Sequence, residues 1–489
     1  MDAEALQQAL QRQRRAFERD GPPDASTRIE RLDRLAAMVL AHAHEIVSAL
    51  SLDFGTRSAH ATRTGDVVGA VAAARYNRDH LREWMQPVPV PLPAPMEQAG
   101  ARAQVRYQPL GVIGAIVPWN GPVLMGVLAA AGAFAAGNRL MLKVPEGTPH
   151  TSALIERMFC ASFSPEEVVV VQGDAAVGAA FSRQLFDHLL FTGSAATARH
   201  VALAAAQNLV PVTLELGGRN PVIVGRSADL ALTSARLVTG KMASAGQVCV
   251  SPDYVLVPRG SEQALVDAMA AQAARLYPTL LDNDDCTSIA SDAHYTRLRQ
   301  LLDDARHKGA RVLEVNPAHE PLTGHPQRKF PLCLFMDVTP DMRVWQEETF
   351  GPLLSVQPYD SLQEALTVIA AQPQPLSAYY FGHDAYEIEQ VIERVAAGNM
   401  VVNDVRCQLF FEQLPFGGVG ASGSGRYRGH EGFKTFSNAK TIVHQMQADA
   451  ALAAQRPPFS HAARAAVLAQ VEALRTEFTF KPSPNGDTP

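Results

Sequence analysis

From residue 111 the chain alternates short apolar runs with helix-length segments, and that alternation restricts the folds open to it. GVIGAIV (111–117) precedes an Ala- and Gly-rich apolar segment at 123–137. LMLKV, VVVV and HLLF follow at intervals, then TLEL (213–216) and PVIV (221–224). Short runs with no polar face predict a parallel sheet joined by crossover helices. The same style continues from 219 to about 400, with YVLV (254–257), LSVQPY (354–359) and NMVVN (399–403), so a second α/β lobe is expected. Length agrees, since 489 residues exceed what a single ordinary core holds.

Outside this region the pattern changes. Thr27-Arg28-Ile29-Glu30 has the capping-box form, and Ile29, Leu32, Leu35, Val39, Leu40, Ile46 and Leu50 recur at helical spacing. A helical N-terminal region follows, with His42 and His44 inside it at a spacing that sends the two rings apart. Residues 86–98 are Pro-rich and cannot continue a helix, whereas ARAQVRYQPLG (101–111) alternates like a strand. After about 445 the chain is Ala-rich. LAQVEALRTEF there predicts a surface helix, and KPSPNGDTP a disordered end.

Composition narrows the function classes. Hydrophobic residues at 47% against 19% charged describe a folded globular chain. A net charge of −6 without a basic stripe argues against a nucleic-acid partner. The five cysteines, Cys160, Cys249, Cys286, Cys333 and Cys407, are scattered without CxxC spacing, so neither a disulfide framework nor a metal site is expected. The apolar 123–137 segment is shorter than a membrane span, and the first residues lack an apolar signal core. The expectation is a soluble, cytoplasmic protein.

Two short strings carry chemistry. Cys249 ends Ala245-Gly246-Gln247-Val248-Cys249, and Glu215 opens Glu215-Leu216-Gly217-Gly218, 34 residues earlier. A thiol and a carboxylate on two Gly-flanked loops are a candidate covalent nucleophile and general base. Pro118-Trp119-Asn120, Phe191-Thr192-Gly193-Ser194 and Glu347-Glu348-Thr349-Phe350-Gly351-Pro352 accompany them. In this order the strings resemble the NAD(P)-dependent aldehyde dehydrogenase superfamily over about residues 10–440. SPDYVLV after Cys249 is similar to the branch of class 3 and coniferyl aldehyde dehydrogenases.

The resemblance implies a Rossmann-like cofactor-binding domain (1–85 and 108–216) and an α/β catalytic domain (217–430). It also implies a small β oligomerisation arm (86–107 and 431–446), followed by a C-terminal tail (447–489). By the same resemblance Cys249 attacks the aldehyde, Asn120 stabilises the oxyanion and Glu215 activates the water that releases the acid. Lys143 and Glu146 would hold the adenosine ribose, Gly193 and Ser194 would face the pyrophosphate, and Glu348 would bind the nicotinamide ribose. Trp119 and Phe350 would flank the cofactor, and Phe416 would wall the substrate pocket. NAD or NADP is implied, with NAD slightly favoured because Glu146 would repel a 2′-phosphate. The implied partners are a small aldehyde, aromatic or hydrophobic such as coniferyl aldehyde, and further copies of the chain in a homodimer or homotetramer.

The alternatives are a CoA-acylating relative, which would lack the need for Glu215, and a catalytically idle nucleotide-binding homologue. Gly418-Val419-Gly420-Ala421-Ser422-Gly423 fits G-x-G-x-x-G literally but follows no strand, so it is rejected as a dinucleotide fingerprint. The chain departs from the family's habit at Val144, Ala198 and Gly121, and at Arg428, where this branch often has His.

Overall fold

The computed structural model describes residues 1–447, 452 and 455–478, so the KPSPNGDTP end lies outside the described residues. One compact unit comprises Met1–Met85 with Tyr107–Asn438, and a smaller one comprises Gln86–Arg106 with the described chain after Asn438. In the smaller unit β1 (Val88–Val90) pairs antiparallel with β2 (Arg102–Pro109). Ser437–His444 forms the strand on the other side of β2. The alternation read at 101–111 is therefore a strand. Both edge strands of this small sheet are largely exposed.

The larger unit holds two sheets. The first consists of β3 (Val112–Ile116), β4 (Arg139–Lys143), β5 (Val168–Val171), β6 (His188–Thr192) and β7 (Val212–Glu215), all parallel. Their order is β5-β4-β3-β6-β7, the Rossmann-like order in which the winding reverses between the first strand and the fourth. The second consists of β8 (Asn220–Val224), β9 (Pro252–Pro258), β10 (Arg311–Val315), β11 (Leu332–Met336), β12 (Leu353–Tyr359), β13 (Ser377–Phe381) and β14 (Asn399–Val402). It is ordered β10-β11-β12-β9-β8-β13-β14, and only β10 runs antiparallel to its neighbour. Strands such as β5, β8 and β9 are buried throughout, which is why their sequences show no alternation.

The rejected Gly-rich string has a structural role. Gly420–Ser422 is a 3₁₀ turn, and β15 (Gly423–Ser424) pairs antiparallel with β7, setting Gly423 opposite Glu215. A Cβ on Gly423 would lie 2.0 Å from the Leu214 carbonyl oxygen, so the strand that carries Glu215 is closed off by a backbone only Gly permits.

Two local expectations change. The helix Ala25–Ala41 starts at Asp24, whose carboxylate accepts from the Thr27 N–H. Thr27 is thus not the cap, because a carboxylate nearby satisfies the same donor and also suits the positive end of the helix. His42 sits at a break rather than inside a helix, and the chain bends there by 63° into Ala43–Phe54. Among the described residues no single helix is long and apolar enough to cross a membrane. The 123–137 segment is the helix Pro122–Ala136, almost wholly buried, and Gly137 ends it at φ +89°.

Candidate active site

Parallel sheets of this kind bind ligands at the carboxyl ends of their strands. Four of the singled-out strings fall there: Trp119-Asn120 after β3, Lys143 at the end of β4, Gly193-Ser194 after β6, and Glu215 at the end of β7. Asn120 stands one residue before the cap position of Pro122–Ala136, so its side chain is not used as a helix cap. Its Nδ2 donates instead to the Gln247 carbonyl at 3.0 Å, two residues from Cys249. An amide carries two N–H bonds, and this contact uses one.

The Cys249 loop is held by its own side chains. Gln247 donates through Nε2 to the carbonyls of Ser244 and Ser288, each at 3.0 Å, and its Oε1 accepts from the Ala290 N–H at 2.9 Å. Ser244 and Ala245 have φ of +53°, and Gly246 +72°. A Cβ on Gly246 would lie 2.3 Å from the Gly351 carbonyl oxygen, which accounts for Gly before Gln247. From the other side Asn220 Nδ2 donates to the carbonyls of Cys249 (2.8 Å) and Ser251 (2.9 Å), while its Oδ1 accepts from Ser377 N–H. Residues strained and braced in this way are a recurrent property of functional loops.

Cys249, Glu215, Asn120 and Phe416 line one cavity of about 190 Å³. Glu215 is 3% exposed, and both its carboxylate oxygens are buried without a hydrogen-bond partner among the described residues. Burial pushes its pKa well above the ordinary carboxyl range, while Arg428 and Arg426 oppose the shift. Burial, with Glu215 and Glu348 adding negative charge, pushes the Cys249 thiol up to about 12, and Arg428 again pulls the other way. Burial thus disfavours the charged form of both groups. A buried carboxyl with no internal partner is costly unless something else uses it.

A second cluster sits beside the cavity. Lys143 is buried, donates to the Val144 carbonyl at 2.7 Å and lies 3.6 Å from the exposed Glu146 carboxylate. Ser194 caps the helix Ala195–Ala206 through its hydroxyl, which accepts from Thr197 N–H. Trp119 packs edge-on to Phe350 at 5.6 Å and tilted on His294 at 4.7 Å. Glu348 accepts from the Gly218 N–H and reaches a pKa of about 7, raised mainly by burial. Its carboxylate occupies the space where a side chain on Gly217 would begin, at 2.4 Å. Thr349 fixes this segment: its N–H and hydroxyl both donate to Asp253 Oδ1, at 2.9 and 2.7 Å, and Lys241 reaches its hydroxyl at 3.3 Å. Arg219 holds the other oxygen of Asp253 at 3.1 Å. Lys143, Glu146, Gly193, Ser194, Trp119, Glu348 and Phe350 do not line the Cys249 cavity; they lie around the adjoining strand ends.

Sequence reading passed over several residues here. Arg57 donates to the Asn120 carbonyl and to Asp66 Oδ2, both at 2.9 Å, so a buried ion pair holds the backbone of the candidate oxyanion donor. Asp66 reaches it from a π-helical turn, Arg63–Gly69. Arg406 and Glu412 line the same cavity, as does Arg428, which the sequence marked only as a departure from the family's habit. Arg428, with φ +133°, lies over the Phe416 ring at 4.4 Å and donates to the Leu409 carbonyl at 3.0 Å. No local signal marks Arg57, Asp66 or Arg406, because their roles arise from contacts between distant segments.

The aldehyde dehydrogenase family model matches residues 1–442, and the chain belongs to that family. It is an oxidoreductase acting on aldehydes. A coniferyl aldehyde dehydrogenase from Pseudomonas sp. strain HR199 is 46% identical over 460 residues, covering 94% of this chain and 95% of that protein. Among solved structures, a substrate-bound Staphylococcus aureus AldH superposes with a TM-score of 0.87 at 30% identity, covering 96% of this chain and 98% of that one. PnpE in complex with nicotinamide adenine dinucleotide superposes at 0.82 with 26% identity, covering 91% of each chain.

Proposed function

We propose that the protein oxidises an aldehyde to the carboxylic acid with NAD(P)⁺ through a thioester on Cys249. The observation that carries this reading is the shared cavity of Cys249, Asn120 and a Glu215 whose two buried oxygens have no other use. As the Cys249 thiol loses its proton to solvent its sulfur adds to the carbonyl carbon, and the oxygen that becomes negative is stabilised by the second N–H of Asn120, a contribution of about 10²–10³ in rate for donors of this type. When bound, a nicotinamide cofactor would supply the acceptor for the hydride this adduct must lose to become a thioester. Glu215 then takes a proton from water as it attacks, the C–S bond breaks, and the acid leaves with the thiol restored.

The second cluster fits a dinucleotide. Lys143 and Glu146 offer a donor and an acceptor side by side, as two ribose hydroxyls require. The helix start at Ser194 favours a pyrophosphate. Glu348 is an acceptor for the second ribose, and Trp119 with Phe350 provides aromatic walls. Glu146 favours NAD over NADP through repulsion of a 2′-phosphate. The similarity to a coniferyl aldehyde dehydrogenase and the apolar walls around Phe416 support an aromatic or hydrophobic substrate. The exposed edges of the small sheet support a homodimer or homotetramer, which light scattering checks.

The test is nicotinamide reduction by the purified chain over a panel of aliphatic and aromatic aldehydes, without CoA, beside C249A and E215Q. Reduction that vanishes in C249A is expected, with E215Q keeping a stoichiometric first turnover while steady turnover falls about 10²–10⁴-fold. Reduction that appears only when CoA is supplied would refute the hydrolytic route.

A further inference from the structure

Three guanidinium groups line the Cys249 cavity: Arg57, Arg406 and Arg428. Arg57 is paired with Asp66 and bonded to the Asn120 carbonyl. Arg428 donates to the Leu409 carbonyl and faces Glu412 at 3.9 Å. Arg406 differs: among the described residues its guanidinium makes neither an ion pair nor a hydrogen bond, and its Nε, like that of Arg428, is buried without a partner. A guanidinium has five N–H donors, no acceptor and no accessible neutral form. Setting one in apolar surroundings without an acceptor is costly, and burial does push the pKa of Arg406 down. Its nearest polar neighbours are the Tyr379 and Tyr277 hydroxyls and the Cys249 thiol, and among the described residues none is hydrogen-bonded to its guanidinium. The Tyr379 hydroxyl donates to the Val250 carbonyl, and Leu409, Phe410 and Phe416 offer only carbon. The backbone of Arg406 is in the left-handed region at φ +64°, and its Cδ passes close to Gly240.

We propose that Arg406 is a specificity-determining residue that binds an oxygen acceptor carried on the aldehyde away from its reacting carbon, most strongly an anionic one. This rests on reading the cavity as the aldehyde site. The carbon body of such a substrate lies against the apolar walls, and the acceptor completes a donor set the protein leaves open. A carboxylate and a phenolic oxygen share this chemistry, the carboxylate pairing more strongly and in a bidentate fashion.

The test compares kcat/KM of the full chain, with NAD, for 4-carboxy-, 4-hydroxy- and 4-methylbenzaldehyde and for the three matching cinnamaldehydes. Wild type is expected to favour the oxygen-bearing member over the methyl one by roughly ten- to a hundredfold, the worth of a hydrogen bond to a charged group, with most of the difference in KM. The carboxylate is expected to exceed the hydroxyl. R406M is expected to bring the ratio near one, and R406K to restore part of it. A wild-type preference for the methyl compounds would overturn the proposal, and that comparison stands even if R406M does not fold. Equal loss on every substrate in R406M, with iodoacetamide alkylation of Cys249 moved to higher pH, would overturn it in favour of thiol activation. Absence of reduction with any aldehyde would instead sink the underlying reading of the cavity.

Discussion

Gly217 offers a way to disturb the proposed cofactor side without touching the thiol. In G217A the new Cβ would stand 2.4 Å from Glu348 Oε1 and 2.5 Å from Oε2. Ordinary carbon–oxygen contacts are about 3.3–3.6 Å, so the carboxylate has to withdraw by roughly 1 Å. It is not free to do so cheaply, because it accepts from Gly218 N–H and its neighbour Thr349 is locked by two hydrogen bonds to Asp253. Gly217 itself is outside the left-handed region, so the substitution carries no backbone penalty of its own. A misplacement of about 1 Å at a positioning group costs on the order of 10²-fold. Initial rates against NAD concentration, at saturating aldehyde, should show kcat/KM for the cofactor reduced by roughly ten- to a hundredfold. Alkylation of Cys249 by iodoacetamide in the absence of cofactor should stay within about twofold of wild type, since binding-site geometry rather than thiol reactivity is altered. An unchanged cofactor dependence would refute the assignment of Glu348, and a parallel fall in alkylation would show that the two sites are not separable.

Other substitutions test the electrostatics and the bracing. D66N removes one partner of the buried Arg57 pair and should cost about 3 kcal/mol of stability in urea denaturation, with turnover also reduced as Asn120 loosens. Because the thiol is raised to about 12, Cys249 alkylation should climb with pH through the alkaline range without a plateau below about pH 10. E348Q removes an opposing anion and should shift that climb to lower pH, whereas R428M should shift it to higher pH; shifts of the same sign would contradict the charge assignment. E215Q should be more stable than wild type at alkaline pH. The folded pKa is raised, so wild type loses stability as pH rises above the unfolded value of 4.5 toward the folded one, and Tm measured against pH should diverge over that window.

Much of this site was legible because its chemistry lies in short strings. Cys249, Glu215 and Asn120 each stand within three residues of a Gly near the end of an apolar run, and the structure brings them to one cavity. The parallel sheets were equally plain, since β5 and β9 are buried on both faces and their sequences say so. Where the reading failed, competition or distance was the cause. Thr27 looked like a cap but lost the position to Asp24, a stronger acceptor three residues earlier. Asp253 stood just before the YVLV strand with no local sign of its role, and its hold on Thr349 spans 96 residues. Arg406 carried no pattern at all, because its isolation is defined by what distant segments fail to provide.

The π-helical turn Arg63–Gly69 has a consequence for how this chain tolerates length variation. Such a turn contains one residue more than the α-helix around it could hold. Losing that residue would restore regular winding and leave every flanking side chain chemically intact. It would also rotate Asp66 about the helix axis by the angle between successive residues, roughly 100°, away from Arg57. The support beneath Asn120 therefore depends on a count as much as on a carboxylate: an in-frame deletion in this surface-adjacent segment is the more disruptive lesion, whereas an exchange among its exposed side chains leaves the arrangement standing.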